Sequence, residues 1–190
     1  MEESKAQNFF AHVWEIAKVL LISAAVVAPI RYFIAQPFIV RGASMEPNFQ
    51  DREYLIVDEI SYYLRAPKRG EAIVFHYPRD PSEFFIKRIV GLPGEKVQIQ
   101  KGKVKIFNIT YPDGFTLDEE YLNPPNHATY PDGDVALASG MYFVMGDNRD
   151  FSSDSRIWGS LDRKFVVGRV VFRAWPARRF GVIPDTAFGF

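Results

Sequence analysis

Phe84-Phe-Ile-Lys-Arg-Ile-Val90, "FFIKRIV", reads as a β-strand, because aromatic and β-branched side chains dominate a run too short to make a helix. A period of two puts Phe85, Lys87 and Ile89 on one face and Phe84, Ile86, Arg88 and Val90 on the other. Lys87 therefore stands among apolar neighbours on its own face, where desolvation disfavours the ammonium and lowers its pKa. Moving that pKa from about 10.4 to near 8 corresponds to roughly 3 kcal/mol, a cost the rest of the fold must meet. A lysine kept neutral in this way is a usable general base. The competing reading is an ordinary strand lysine whose stem packs and whose head reaches water. The strand alone does not separate the two.

Outward from this strand the same grammar repeats. Tyr54–Val57, Ala72–Tyr77, Lys96–Gln100, Val104–Phe107, Met141–Met145 and Phe165–Trp175 are further candidate strands. "RAPKRGE" at Arg65–Glu71 and "GLPGE" at Gly91–Glu95 are turns by their Pro and Gly placement. Beyond the N-terminus no long helical period occurs, although Asp118–Leu122 has room for one short turn. The predicted class is mainly β, a compact antiparallel barrel-like domain over residues 36–190. "YPDG" occurs at Tyr111–Gly114 and again at Tyr130–Gly133. Each copy is a turn in which Pro fixes one φ and Gly permits a positive one. The two copies bracket a loop-rich segment, residues 108–140, read as a small insertion. Asn108-Ile-Thr110 fits a glycosylation sequon, for which chance is the better account.

Ahead of the β domain lies Val13–Ile34, "VWEIAKVLLISAAVVAPIRYFI". Its charge-free run, Val19–Ile30, covers twelve residues, against the roughly 20 that cross a bilayer core. Lys18 and Arg31 can snorkel to the headgroups, and Trp14 and Tyr32 sit where interfacial aromatics belong. A cleaved signal peptide fits poorly, since its small residues would lie inside the apolar run. A buried helix of a soluble domain is the plain alternative. The expectation is a short tail over residues 1–12, then one transmembrane helix over 13–35, with the lipid bilayer as a partner. Lysines and arginines flank both ends, so charge does not orient it.

Bulk composition excludes several classes. Lys+Arg and Asp+Glu balance at 23 each in 190 residues, with no basic reading helix, so no nucleic-acid partner is expected. Cysteine is absent, which removes disulfides, thiolate metal sites and a cysteine nucleophile. Arg41-Gly-Ala-Ser-Met-Glu-Pro47, "RGASMEP", presents an accessible serine that lacks an obvious base. Of the three histidines, His12 leads the anchor, His127 lies in the insertion, and His76 ends a strand. No local signature of a Ser-His-acid triad accompanies any of them.

Four blocks occur in order: "GASMEP" at Gly42–Pro47, "RGEAIVF" at Arg69–Phe75, "KRIVGLPGE" at Lys87–Glu95 and "GDNRDFSSDSRIWG" at Gly146–Gly159. This combination resembles the bacterial type I signal peptidases, membrane-anchored serine proteases with a Ser/Lys dyad, from about Phe38 to about Arg173. The resemblance implies Ser44 as nucleophile, Lys87 as general base and Ser152 as the serine that helps orient the lysine amine. It implies Asp147, Arg149, Asp154 and Arg156 as charged residues bracing their loop; by chemistry alone these two acids and two bases can pair with one another. A calcium loop is the rival reading, but Arg149 stands where an oxygen ligand would be needed; no metal and no cofactor is expected.

Gly42 occupies a place where some members carry an oxyanion-binding serine, leaving the hole to backbone N–H groups, including that of Ser44. Phe38 and Val40 are implied as walls of pockets for small side chains. Further departures are Asn48 for a common Thr, Glu71 for Asp and Phe151 for Asn. The implied substrates are preproteins bearing signal peptides, cut after a small-x-small motif. The implied setting is the bacterial plasma membrane, single-pass, with the catalytic domain extracytoplasmic, and a monomer is expected. Two alternatives stand beside this reading. A self-cleaving repressor would need an N-terminal helix-turn-helix, and a silent membrane-tethered β module would cut nothing.

Overall fold

Strand β4, Asp80–Gly91, exposed over its first half and buried on both faces over its last residues, runs through the larger of two antiparallel sheets. The computed structural model describes residues 2–29, 36–125 and 127–184, and the chain divides into two compact units, 1–36 and 37–190.

Among its described residues the first unit contains one helix, α1, Glu2–Pro29; the last part of the expected anchor, residues 30–35, lies outside the described residues. It begins inside the stretch expected to be a tail, because nothing between Glu2 and His12 breaks a helix. Val19, Leu20, Leu21 and Ile22 are all well exposed, and four consecutive positions at 100° spacing look in every direction. The helix therefore has no single apolar stripe. Among the described residues no helix is long and apolar enough to cross a membrane. One continuous helix also stands where a repressor would need two helices and a turn.

In the second unit the large sheet runs in the order β1 (Gln36–Ile39), β2 (Tyr54–Asp58), β11 (Val166–Trp175), β3 (Ala72–Tyr77), β4, β9 (Met141–Met145) and β10 (Leu161–Asp162), with β12 (Gly181–Val182) pairing β11. Register places Lys87 opposite Ile73 and Arg88 opposite both Ala72 and Met145. The smaller sheet orders as β7 (Phe115–Thr116), β6 (Lys103–Phe107), β5 (Lys96–Gln100) and β8 (Gly133–Ala136). Segment 108–140 thus supplies two short strands, β7 and β8, to a sheet built on the β5–β6 hairpin.

Three apolar clusters hold these sheets. One joins Val97, Val104 and Ile106 of the small sheet to Val90, Phe143 and Met145 of the large one. A second packs Met45 and Phe49 against Leu55, Val57 and Val74, and a third gathers Phe75, Ile89, Val144 and Leu161. Each such side chain, fully buried, contributes about 1.5–3 kcal/mol. The two "YPDG" copies diverge: Gly114 has a φ of 72° and closes a turn on Tyr111, whereas Gly133 opens β8 without a positive φ. Asn108 spends its side chain inside the fold, donating to Glu95 at 2.9 Å and accepting from the Tyr111 N–H at 2.8 Å.

Candidate active site

Ser44 sits in the turn between β1 and β2. Gly42 has a φ of 84°, a backbone region that favours glycine, and its N–H donates to Asp51 Oδ1 at 2.9 Å. The buried side chains of Met45 and Phe49 fasten the turn to the core, and the Phe49 N–H closes it on the Met45 carbonyl at 2.9 Å. Ser44 is left half-buried at the mouth. Among the described residues its own N–H donates to nothing.

Lys87 arrives from β4, forty-three positions along the chain, and its Nζ lies 2.8 Å from Ser44 Oγ. A second bond, at 2.9 Å to the Ile86 carbonyl, fixes the amine's direction. The side chain is 4% exposed, and burial pushes its pKa down to about 8 against the opposing charges of Asp154 and Asp147, with Arg156 assisting. At pH 7 roughly a tenth of such a lysine is neutral, and at pH 8 roughly half.

The loop after β9 holds both partners. Gly146 is wedged so closely that a Cβ there would overlap the Ser44 carbonyl and the Ser152 side chain. The Asn148 N–H donates to the Ser44 carbonyl at 3.1 Å, and its side chain donates to the Ala43 carbonyl at 3.1 Å. Ser152 Oγ is buried and makes no hydrogen bond of normal geometry, although its hydroxyl lies near enough to favour the ionised form of Asp154. The polar contacts of the Lys87 amine are Ser44 and Ile86, so Ser152 does not touch it directly.

The four charged residues of this loop do not pair as a closed set. Asp154 and Arg156 do pair, through Nε and Nη2 at 2.8 Å each. Burial pushes Asp154 up, but Arg156 and the Gly146 N–H outweigh it and hold the carboxyl below its ordinary value. Asp147 instead takes a bidentate pair from Arg88, the residue after Lys87, at 2.8 and 2.5 Å. Arg149 reaches into segment 108–140, pairing with Glu119 at 3.0 and 2.6 Å while its Nε donates to the Gly146 carbonyl at 3.0 Å. With these oxygens turned to guanidinium groups, the loop is a lattice of buried ion pairs around Gly146.

A groove of about 570 Å³ opens from the Ser44–Lys87 pair, lined by Phe38, Val40, Leu55, Phe84 and Ile86 among others. Phe38 and Phe84 meet edge to face at 5.3 Å between centroids. None of the histidines in this unit serves Ser44. His76 Nδ1 donates to the Pro81 carbonyl at 2.7 Å, and His127 Nε2 lies 2.9 Å from Asp150.

A serine hydroxyl and a buried amine of lowered pKa in hydrogen-bond contact, at the head of an apolar groove, are equipped for acyl transfer. The family described as "Signal peptidase, peptidase S26" matches residues 13–175. The chain belongs to the S26 signal peptidase family. Membership makes it a serine endopeptidase, and it covers nearly the whole length of the chain. A probable signal peptidase I-2 of Synechocystis sp. is 38% identical over 98% of this chain and 83% of its own length. A signal peptidase I of Leptolyngbya laminosa is 38% identical over 86% and 80%. A signal peptidase IB of Staphylococcus aureus is 32% identical over 78% and 82%. The sequence gives no site role to Arg88, Glu119 or Asn148, and it marks Asn48 only as a departure from a common Thr; of these, Arg88 also carries a signal as a charge on the face of β4 opposite Lys87.

Proposed function

We propose that this S26 peptidase removes N-terminal signal peptides from exported preproteins, with Ser44 as nucleophile and Lys87 as general base. The observation that carries the assignment is the 2.8 Å contact between Lys87 Nζ and Ser44 Oγ, made by an amine whose pKa is pushed down to about 8. Neutral Lys87 accepts the Ser44 proton as Oγ attacks the scissile carbonyl. The Ser44 N–H, unspent among the described residues, is the donor for the developing oxyanion, while the Gly42 N–H is committed to Asp51. Collapse expels the amine of the mature protein, which takes the proton from Lys87 and leaves an acyl-enzyme. Lys87 then draws a proton from water, whose oxygen attacks the ester, and Ser44 Oγ leaves with that proton. Ser152, Asp147, Arg149, Asp154 and Arg156 keep this geometry without touching the reacting atoms.

The groove between Phe38–Val40 and Phe84–Ile86 receives the residues before the cut as an extended strand. Its aromatic walls favour small side chains there, in keeping with a small-x-small motif. Residues 13–35 are the membrane anchor: the exposed apolar side chains of α1 are suited to lipid. The β unit works as a monomer on the extracytoplasmic side of the plasma membrane.

Purified Ser44→Ala and Lys87→Ala variants are expected to fold and leave a secreted precursor uncut. The wild-type rate should climb about fivefold from pH 7 to 8 as Lys87 loses its proton. Cleavage by either variant near the wild-type rate would sink the dyad assignment.

A further inference from the structure

Beyond residue 175, where the family match ends, the chain returns to the nucleophile. Arg179 lies in the short turn Ala177–Arg179 that follows β11. Its Nη2 donates to two consecutive carbonyls, Pro47 at 3.1 Å and Asn48 at 3.0 Å. Its Nη1 pairs with Glu53 Oε1 at 2.6 Å. Arg173 of β11 takes the other carboxylate oxygen of Glu53 at 2.7 Å and also donates to the Asn48 carbonyl, at 2.5 Å. Glu53 itself is 1% exposed, and its backbone carbonyl receives the Val40 N–H at 2.9 Å. One buried carboxylate therefore anchors two guanidinium groups on the turn that carries Ser44, and the same residue fastens a wall of the groove.

The connection continues to the base. The Asn48 side-chain amide donates to Asp147 Oδ2 at 2.9 Å and to the Tyr121 carbonyl at 2.9 Å. Asp147 holds Arg88, next to Lys87 on β4. Asn48 is thus clamped from both sides: its carbonyl by the C-terminal arginines, its amide by the residue that aligns β4. A threonine at this position would offer one hydroxyl in place of the two amide donors used here.

We infer that Arg179, braced by Glu53 and Arg173, is a positioning residue that fixes the Ser44 turn relative to Lys87, so that the segment after β11 is part of this chain's catalytic apparatus. Proton transfer between Oγ and Nζ needs heavy atoms about 2.6–3.2 Å apart, and a misplacement of about 1 Å can lower a rate about a hundredfold. Loss of Arg179 frees the Pro47 carbonyl and removes one of two guanidinium donors from the Asn48 carbonyl, while Glu53 stays paired with Arg173. The Arg179 side chain is also 24% exposed, so its removal opens no core cavity.

The inference rests on the proposed dyad, and the test keeps the two apart. Steady-state cleavage of a secreted precursor is measured with the full chain in detergent for wild type, Arg179→Ala, Arg179→Lys and Arg178→Ala, each with a thermal melt. Expected for Arg179→Ala is a ten- to hundredfold fall in kcat with KM within twofold and an unshifted midpoint of the pH profile. Arg179→Lys, keeping one donor group beside Glu53, should recover part of that loss, and Arg178→Ala should match wild type. A folded Arg179→Ala with wild-type kcat, or a loss confined to KM, overturns the clamp. If Arg179→Ala melts below the assay temperature, Arg179→Lys decides: folded and slow supports the inference, folded and fully active refutes it. A wild-type protein that cuts no precursor refutes the proposed function itself, whatever the arginines do.

Discussion

Replacing Lys87 by methionine should abolish cleavage and change the pH dependence of stability. Lys87 is 4% exposed, and its pKa falls from an ordinary 10.5 to about 8 because burial penalises the ammonium. Between about pH 8 and 10.5 the unfolded chain therefore holds a proton that the folded chain has released. Where the unfolded state binds more protons, stability rises with pH. The sign is thus a penalty, fully present below pH 8 and relieved as pH climbs towards 10.5. Its full size is about 3 kcal/mol, and roughly 2–3 kcal/mol of it disappears between pH 7 and 10. Methionine fills similar space without the charge, so its variant carries no such penalty. It does leave the Ile86 carbonyl without its amine, a loss of about 1–3 kcal/mol at every pH. The absolute difference from wild type at pH 7 is therefore small, while its slope with pH is not. Denaturant unfolding of both proteins by tryptophan fluorescence at half-unit steps from pH 7 to 10 gives that slope directly, since other titrating groups cancel in the difference. Wild type should gain about 2–3 kcal/mol on the methionine variant across the range. Parallel curves would mean that Lys87 is no more desolvated folded than unfolded, and the account of its basicity would fall.

Two further outcomes follow from the loop after β9. Gly146→Ala places a methyl group against the Ser44 carbonyl and the Ser152 side chain, so kcat should drop at least about tenfold and stability should fall by about 1–3 kcal/mol; unchanged kcat would show that the loop can yield there. Arg88→Met strands Asp147 as an unpaired buried carboxylate, with an expected loss of about 3–5 kcal/mol by denaturant unfolding, and adding Asp147→Leu should recover most of it; a single variant as stable as wild type would contradict the burial of that pair.

Most of the large sheet was legible because its strands are runs of five or more residues rich in β-branched and aromatic side chains: β3 and β9 are buried almost throughout, and β11 alternates over its first half. Lys87 and its apolar face were visible for the same reason. The strands that escaped, β1, β7, β8, β10 and β12, span two to four residues, too few for a period of two to declare itself. They exist because a longer neighbour offers an edge to pair with, which is tertiary information. Helix α1 was seen through its hydropathy, so its polar first turns were assigned to a tail.

The charged residues around the dyad teach a narrower point. Within Gly146–Gly159 the two acids and two bases invited local pairing, and one pair formed where separation is only two residues: Asp154, capping the short helix Ser155–Trp158, with Arg156. A carboxylate taken from water requires a partner with matched geometry, and a partner from another element can meet that need while cross-linking the fold. Asp147 found Arg88 at a separation of 59 and Arg149 found Glu119 at 30; Glu53 found Arg173 and Arg179 at 120 and 126. Each long-range pair joins one of the elements that carry Ser44, Lys87 or Gly146 to a distant part of the chain. Local composition names the ions but not their partners, because sheet order chooses the partners. In a dyad whose two members come from separate elements, that choice sets the 2.8 Å contact, so the residues hardest to read from sequence are the ones that hold the catalytic distance.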